Sequence, residues 1–414
     1  MWDEDSVVQI DGSSPDHLWE IARVGAKRML QEALEAEIEE FIEGHREKRL
    51  DSGRRRVTRN GHHRERPIQT GLGGVEVRVP RARDRGASGD EAIKFTSSLV
   101  PPYLRRTRNI EELLPVLYLC GVSSGNFKVA LEAILGPGAP GLSSNTICRL
   151  KATWEEEHDQ WRHRRLEGRT YAYLWADGIY CRVRGEDQKQ CLLVLVGARE
   201  DGRKELVAIE SGYREDELSW KRVLLDLQGR GLTTSPRLAI GDGALGFWKA
   251  LDQVYPETEH QRCWRHKTVN VLSRLPKSRH SDAKNDLREI WQAATRKEAD
   301  AAFDRFLHVW EPKYPKAAAC LDKDRDSLLT FFTFPARHWR SIRTTNPIES
   351  TFATVRHRTK RSKGCLTRST MLAMVFKLAQ SAQRRWRRLH GYGQIADVVR
   401  GVIFKDGIKL EGVA

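Results

Sequence analysis

Residues 171–180 read Tyr-Ala-Tyr-Leu-Trp-Ala-Asp-Gly-Ile-Tyr, an apolar run with one acid, Asp177, set inside it. Aromatic-rich runs of this length predict β-strands. Three such runs follow one another, 172–184, 190–198 and 204–211, joined by the polar turns Gly185-Glu186-Asp187 and Asp201-Gly202. Short polar links between strands predict an antiparallel meander. The pattern then alternates: a helix over 215–230, a buried strand over 237–241, a helix over 244–254, and a short strand from His260 to Cys263. The expected fold class is therefore α/β.

Two further acids share the setting of Asp177. Asp242 ends the strand in Arg-Leu-Ala-Ile-Gly-Asp-Gly-Ala (237–244), and Glu349 sits in Thr-Thr-Asn-Pro-Ile-Glu-Ser-Thr-Phe (344–352), which reads as the opening of a helix. Taken singly, each is ordinary: Asp-Gly closes many strands as a turn, and an acid at a helix start complements the helix dipole. Together, two strand-borne aspartates and one helix-borne glutamate suit a site for two divalent cations about 4 Å apart, the arrangement of phosphoryl transfer. One cation activates a water or a 3′-hydroxyl and the other stabilises the leaving oxygen. Magnesium (Mg2+) fits, because it prefers oxygen ligands and keeps open water positions; manganese (Mn2+) is expected to substitute. From Asp177 to Asp242 is 65 residues, and from Asp242 to Glu349 is 107. The second gap leaves room for an insertion. Residues 265–335 supply one, with helical stripes such as Leu287, Ile290, Trp291, Ala294 and Ala302, Phe303, Phe306, Leu307.

The 71 Lys and Arg against 56 Asp and Glu leave a formal charge of +15, which favours a polyanionic partner, with double-stranded DNA expected. A 39% hydrophobic content over 414 residues fits a soluble globular chain of two or three domains. No apolar run approaches a transmembrane span and the N-terminus is acidic and polar, so no membrane or secretory segment is expected. The location expected is cytoplasmic and nucleoid-associated. The seven cysteines (120, 148, 181, 191, 263, 320, 365) are scattered without C-x-x-C spacing, which argues for small packed hydrophobes rather than a disulfide framework.

The positive charge is clustered. A helix over 15–45, capped at Ser13 or Ser14, carries the stripe Leu18, Ile21, Met29, Leu30, Ala33, Leu34, Ile38, Phe41, Ile42. After it, Arg54, Arg55, Arg56, Arg59, His62, His63, Arg64 and Arg66 crowd around an Asn60-Gly61 turn signal. This is either a solvated loop or a phosphate grip, arginine being the side chain that matches phosphate geometry. A hairpin is expected over 67–83, turning at 71–74, with Val75, Val77 and Val79 alternating with Glu76 and Arg78, followed by a Gly/Ser-rich linker at 86–90. Residues 104–165 read as helices: one from Ile110 to Leu119, one from Ser123/Ser124 to Leu135, a Gly136-Pro137-Gly138 break, and one capped by Ser143-Ser144. That punctuation resembles a helix-turn-helix whose last helix offers Asn145, Thr146, Arg149 and Lys151 to DNA; a plain helical bundle shows the same breaks. The tail from 356 is basic.

The strand–strand–strand–helix–strand–helix–strand order is that of a ribonuclease H-like core, an order known from other folds rather than read from periodicity. The residues around the three acids carry a closer likeness. Trp-Ala-Asp-Gly-Ile-Tyr, Ile-Gly-Asp-Gly-Ala-Leu-Gly-Phe, Gln-Arg-Cys-Trp-Arg-His-Lys-Thr-Val-Asn-Val-Leu and Ile-Arg-Thr-Thr-Asn-Pro-Ile-Glu-Ser-Thr-Phe resemble the Mutator-type transposases of bacterial insertion sequences. The likeness spans roughly Leu30 to Gly407, and Asn-Pro-Ile-Glu-Ser is its most specific part. It implies a DDE transposase: a ribonuclease H-like catalytic core with an all-α insertion before the glutamate, preceded by helical and small β DNA-binding segments. It also implies cleavage at terminal inverted repeats and strand transfer, with no covalent protein–DNA intermediate.

Cys263 and His266 match that family's C-x-x-H signature. Alone they are not a zinc site, since no second Cys or His pair lies nearby. A supporting role beside the metal site or a phosphate contact by His266 is expected, with a buried, satisfied histidine as the alternative. Arg356, two turns after Glu349, is placed to reach a phosphate, unless it is merely solvated. Arg343 and Trp339 precede Glu349 and are candidates for DNA contact, Trp339 by stacking on an unpaired base or, alternatively, as a core tryptophan. The domains expected are 1–90 and 91–168 for DNA binding, 169–264 for the first part of the core, 265–338 for the insertion, and 339–414 for the last core helices and basic tail. A homodimer or higher homo-oligomer is expected. The competing readings are a nuclease of the same fold that cuts without joining, and a DNA-binding regulator without strand transfer.

Overall fold

The computed structural model describes residues 17–87, 91–110, 113, 117, 127–135, 144–183, 189–212, 214–243, 245–349, 352, 355 and 367–410. The expected cap at Ser13 or Ser14, the Gly136-Pro137-Gly138 break, the turn at 185–187, and Arg356 lie outside them, as does the side chain of Asn145. The chain divides into two compact units, Met1–Ile147 and Cys148–Ala414.

In the first unit, helix α1 (His17–Glu43) packs on a small β layer. Strands β2 (Arg66–Thr70) and β3 (Gly73–Val77) form the expected hairpin, and β4 (Pro80–Asp84) pairs with β1 (Val57–His62). Leu34 of α1 meets Ile68, Val75, Val77 and Val79, the buried half of the alternating run. Two expectations are corrected. Asn60-Gly61 is no hairpin turn: it lies within β1, where the register shifts between Arg59 and His62 and Gly61 takes φ +65°. Nor is the α1 stripe uniformly inward, since Ile21 and Met29 are exposed while Leu34 and Ile38 are fully buried. Helix α2 (Phe127–Leu135) follows, and α3 (Ser144–Arg162) spans the division between the units.

The second unit holds the α/β pattern. Strands β5 (Tyr171–Cys181), β6 (Gln190–Arg199) and β7 (Lys204–Gly212) form the antiparallel meander. Helix α4 (Glu217–Gly229), strand β8 (Leu238–Gly241), helix α5 (Leu245–Val254) and strand β9 (Glu259–Arg262) then complete a five-stranded mixed sheet, ordered β7-β6-β5-β8-β9. The parallel pairs are β5 with β8 and β8 with β9. Central β5 is covered on both faces, which is why its sequence, Asp177 apart, is apolar rather than alternating. On one face Leu174 and Ala176 pack with Trp220, Leu224 and Leu251 of α4 and α5. On the other, Tyr173 and Trp175 meet the segment before Glu349: Tyr173 donates to His338 Nδ1 at 2.6 Å and Trp175 donates to the Ser341 carbonyl at 3.2 Å. Helices α6 (Trp264–Leu272), α7 (His280–Gln292), α8 (Arg296–Trp310), α9 (Pro315–Asp322) and α10 (Arg325–Leu329) make up the stretch between β9 and that segment. Helix α11 (Arg368–Gln383) packs against β7. No helix among the described residues is long and apolar enough to cross a membrane.

Burial lowers the pKa of three histidines of this unit, in His260 against the opposing pull of Asp252 at 3.0 Å. His158 Nε2 faces the Ile209 carbonyl, His260 stacks on Trp248, and His338 accepts from Tyr173 while its Nε2–H donates to the Gly391 carbonyl. Burial is the leading cause that pushes each below the ordinary 6.5. The unfolded chain therefore binds protons that the folded one refuses, so their contribution is complete above pH 6.5 and lost as pH falls below it. Thermal melts between about pH 7.5 and 5 should show stability declining by up to about 1.4 kcal/mol per pH unit for each group that titrates. A flat profile would mean these rings charge without cost.

Candidate active site

The 65-residue gap between Asp177 and Asp242 is the pairing offset of two strands. Tyr173 pairs with Leu238, Leu174 with Ala239, and Trp175 with Ile240; the same offset carries 177 onto 242. The β8–β9 offset takes Gly241 to Arg262, and Cys263 N–H continues it by donating to the Gly241 carbonyl at 2.8 Å. Asp177 in β5, Asp242 just past β8 and Cys263 just past β9 thus continue one register across three adjacent parallel strands, about 4.8 Å from strand to strand. Within β5, alternation puts Asp177 on the face of Trp175, which the chain leading to Glu349 crosses. Asp177 is buried and Asp242 half-buried.

Residues 346–349 are helical, and Glu349 is buried at 6% exposure. Thr345 Oγ1 donates to Glu349 Oε1 at 3.0 Å, and Arg265 Nη1 pairs with Oε2 at 2.5 Å. His266 Nε2 lies 3.6 Å from Oε1. Cys263 Sγ accepts from Thr345 N–H at 3.3 Å and lies 3.4 Å from its hydroxyl. The C-x-x-H residues therefore bracket the glutamate. The Cys263 sulfur beside it first, against the opposing effect of burial, then the charges of Asp242 and Glu349, raise the His266 imidazole to about 9. Burial alone would raise the Cys263 thiol, but the His266 imidazole beside it and the Thr345 contacts outweigh it and the net shift is downward.

A fourth carboxyl, Glu215, went unnoticed in the sequence. It stands between β7 and α4, beside Asp216, whose carboxylate caps α4 by accepting from Ser219 N–H at 2.7 Å. Its side chain lies over Gly178: a Cβ there would run into the Glu215 carboxyl. Burial first, then the charges of Asp242 and Asp177, push Glu215 up to about 7. Asp242 and Asp177 thus act on Glu215 as like charges, a crowding that a bound cation would relieve. The one local signal was an acid cluster at a helix start, which ordinarily means capping. Gly243, at φ +88°, leaves the space that the Arg262 guanidinium fills beneath the Asp242 turn.

Beside Glu349 lies a cleft of about 540 Å³ with Trp264, Trp291 and Leu272 in its wall and Arg265, Lys284 and Arg340 around it; no described acidic residue lines it. Arg343 and Trp339, expected at DNA, make internal contacts. Arg343 lines the cleft but is half-buried, donates to the Trp291 carbonyl and sits over the Phe331 ring. Trp339 packs edge-on against Phe331 and Phe332 and donates to the Phe334 carbonyl at 2.8 Å.

In the first unit, Arg54, Arg55 and Arg64 are exposed and form no ion pair with a described residue. Arg56 instead grips Asp84 with Nε at 2.8 Å and Nη2 at 2.9 Å, and this pair, with the Ile93 and Gly86 amides, holds the Asp84 carboxyl well below the usual range. Arg59 pairs with Glu35. On α3, Arg149 is exposed and Lys151 half-buried.

Asp177 within a central strand, Asp242 just past its parallel neighbour, a glutamate on a later helix and a cationic cleft beside it make up the site. The sequence matches the family described as "Transposase, Mutator family" over residues 6–388, and the chain belongs to that family. It is 50% identical over 279 residues to the transposase for insertion sequence element IST2 of Acidithiobacillus ferrooxidans, covering 67% of this chain and 94% of that one. It is 51% identical over 302 residues to the IS6120 transposase of Mycolicibacterium smegmatis (73% and 93%), and 30% identical over 388 residues to the ISRM5 transposase of Rhizobium meliloti strain 1021 (93% and 92%).

Proposed function

We propose that this chain is a DDE transposase that cleaves DNA at terminal inverted repeats and transfers the exposed 3′-hydroxyl into target DNA. The observation that carries the reading is the register that Asp177 in β5 and Asp242 just past β8 continue, with His266 close enough to feel both Asp242 and Glu349. The sheet order and the helical stretch before Glu349 support a ribonuclease H-like core with an all-α insertion. Family membership supports DNA as the partner, a cytoplasmic, nucleoid-associated location and a homo-oligomer that holds two ends.

Asp177, Asp242 and Glu349 would hold the cations, with Glu215 as a further ligand or charge partner. The donors are all carboxylate oxygens, which suits magnesium or manganese. Magnesium, when bound, supplies Lewis-acid polarisation of the phosphate and lowers the pKa of the attacking hydroxyl. Thr345, Arg265 and His266 orient the Glu349 carboxylate. The cationic cleft beside it grips the DNA strand next to the scissile phosphate. In the first reaction water attacks and leaves a 3′-hydroxyl; in the second that hydroxyl attacks a target phosphodiester and releases a new 3′-hydroxyl, so the phosphodiester count is conserved.

The test is a labelled DNA bearing the element's end, incubated with the full chain and magnesium, beside a pre-cleaved end offered with target DNA. Nicking and joined product are expected. Nicking without joining would favour the nuclease reading, and neither product would reject this one.

Glu215→Gln removes a carboxylate from this group. The magnesium concentration for half-maximal cleavage should rise roughly 10–100-fold, as when supporting partners of metal sites are lost. An unchanged requirement would take Glu215 out of the site. In the first unit, replacing Arg54, Arg55 and Arg64 together by alanine should reduce the slope of log affinity against log salt by roughly 2–3. A slope equal to wild type would mean those arginines touch no phosphate.

A further inference from the structure

The Cys263–His266 pair is the motif that the proposed chemistry uses only as scaffolding. Cys263 caps α6 and His266 lies in its first turn, three residues on, so both face one side. Two donors do not make a metal site, but the fold adds a third from 83 residues further along the chain (266 to 349). One ligand atom each from Cys263, His266 and Glu349 lies within 4.8 Å of the other two, and no other such trio occurs among the described residues. Tetrahedral zinc, with bonds of about 2.0–2.3 Å, sets its ligands about 3.3–3.8 Å apart. The 3.6 Å between His266 and Glu349 already meets that spacing. The remaining pairs need to close by at most about 1–1.5 Å, within reach of side-chain rotation.

The donor set separates this site from the carboxylate group. A thiol and an imidazole select zinc over magnesium, which takes oxygen ligands. Cys263 is fully buried, and the His266 Nδ1 atom is buried with no hydrogen-bond partner. Glu349 is now paired with Arg265, whose side chain is 59% exposed and also donates to Asn346 Oδ1 at 3.1 Å. Three protein ligands leave the fourth zinc position to water.

We propose that Cys263, His266 and Glu349 bind one zinc ion, which draws Glu349 away from Asp177 and Asp242 and so switches the enzyme off. Binding releases the Cys263 thiol proton and the His266 imidazolium proton to solvent and frees Arg265. The switch rests on the transposase reading above; the binding does not.

The experiment titrates the full-length protein with cobalt(II), then zinc, in excess magnesium. Wild type should develop a thiolate-to-cobalt charge-transfer band that one equivalent of zinc abolishes. Cys263→Ser should lose the band, and His266→Gln should weaken cobalt binding by at least roughly 10–100-fold. Circular dichroism checks that each variant is folded. Should Cys263→Ser fail to fold, zinc-edge X-ray absorption on wild type decides, with one sulfur and otherwise nitrogen or oxygen ligands expected and any other sulfur count overturning the site. No band in wild type, or a band that survives in a folded Cys263→Ser (then owed to another thiol, such as exposed Cys148), also overturns it. One equivalent of zinc should abolish end cleavage, and a zinc-selective chelator should restore it. Cleavage that continues with zinc bound overturns the switch. Cleavage absent even without zinc counts against the transposase reading, and the spectroscopic arm then decides the site.

Discussion

Asp177→Asn is expected to abolish magnesium-dependent cleavage of an end-bearing DNA, by a factor of roughly a thousand or more. That corresponds to about 4 kcal/mol of lost transition-state stabilisation. The change keeps the side chain's size and its place on the central strand, but an amide cannot hold a cation as a carboxylate does. DNA binding in a gel shift should persist, because the basic surfaces are untouched. Thermal stability without magnesium should hold or rise. Asp177 is one of the charges crowding Glu215, and removing it relieves that repulsion. Cleavage by the variant at a rate comparable to wild type would remove Asp177 from the site. A fall in stability would mean that its carboxylate is a structural anchor instead.

The second large effect is on stability and concerns Lys267. Its side chain is fully buried and its ammonium donates to the Cys320 carbonyl at 2.7 Å while pairing with Asp324. Burial is the leading cause that lowers its pKa, opposed by Asp324. This contact ties α6, which carries His266, to α9 and the turn after it. Lys267→Ala leaves a cavity, a buried carbonyl without its donor and a carboxylate whose remaining ion partner is Arg262 at 3.5 Å. Breaking one side of a buried pair costs about 3–5 kcal/mol, so the melting temperature should fall by roughly 6–20 °C. Replacing both partners, as in Lys267→Met with Asp324→Leu, should recover only part of that loss, because Asp324→Leu also takes the carboxylate away from buried Arg262. A single variant that melts within a degree or so of wild type would show that the pair holds nothing together.

The strands and helices of the second unit were legible because each has a short-range cause. β5, Asp177 apart, is apolar since both of its faces are covered, and β8 and β9 fall within a residue or two of their expected bounds. The hairpin of the first unit followed from Val75, Val77 and Val79 alternating with charged neighbours. Asn60-Gly61 misled because the pair fits a bulge as well as a turn, and only a partner strand distinguishes the two. The arginines around it looked alike in sequence, but Asp84 and Glu35 take up Arg56 and Arg59 while Arg54, Arg55 and Arg64 face water. Trp339 and Arg343 read as DNA contacts from their place before Glu349; the Phe331–Phe334 cluster and Trp291, which engage them, lie up to 52 residues away.

By itself the sequence determined the element types, the three acids and their order, because hydrophobic period and turn chemistry act over a few residues. The tertiary structure alone decided what those acids stand beside. Pairing offset turns 65 residues of separation into neighbouring strands, and the packing of β7 against β6 brings Glu215 over Gly178. The helical stretch before residue 339 returns the chain so that Glu349 meets Cys263 and His266. Such juxtapositions depend on how distant segments pack, and no local pattern in the chain records them.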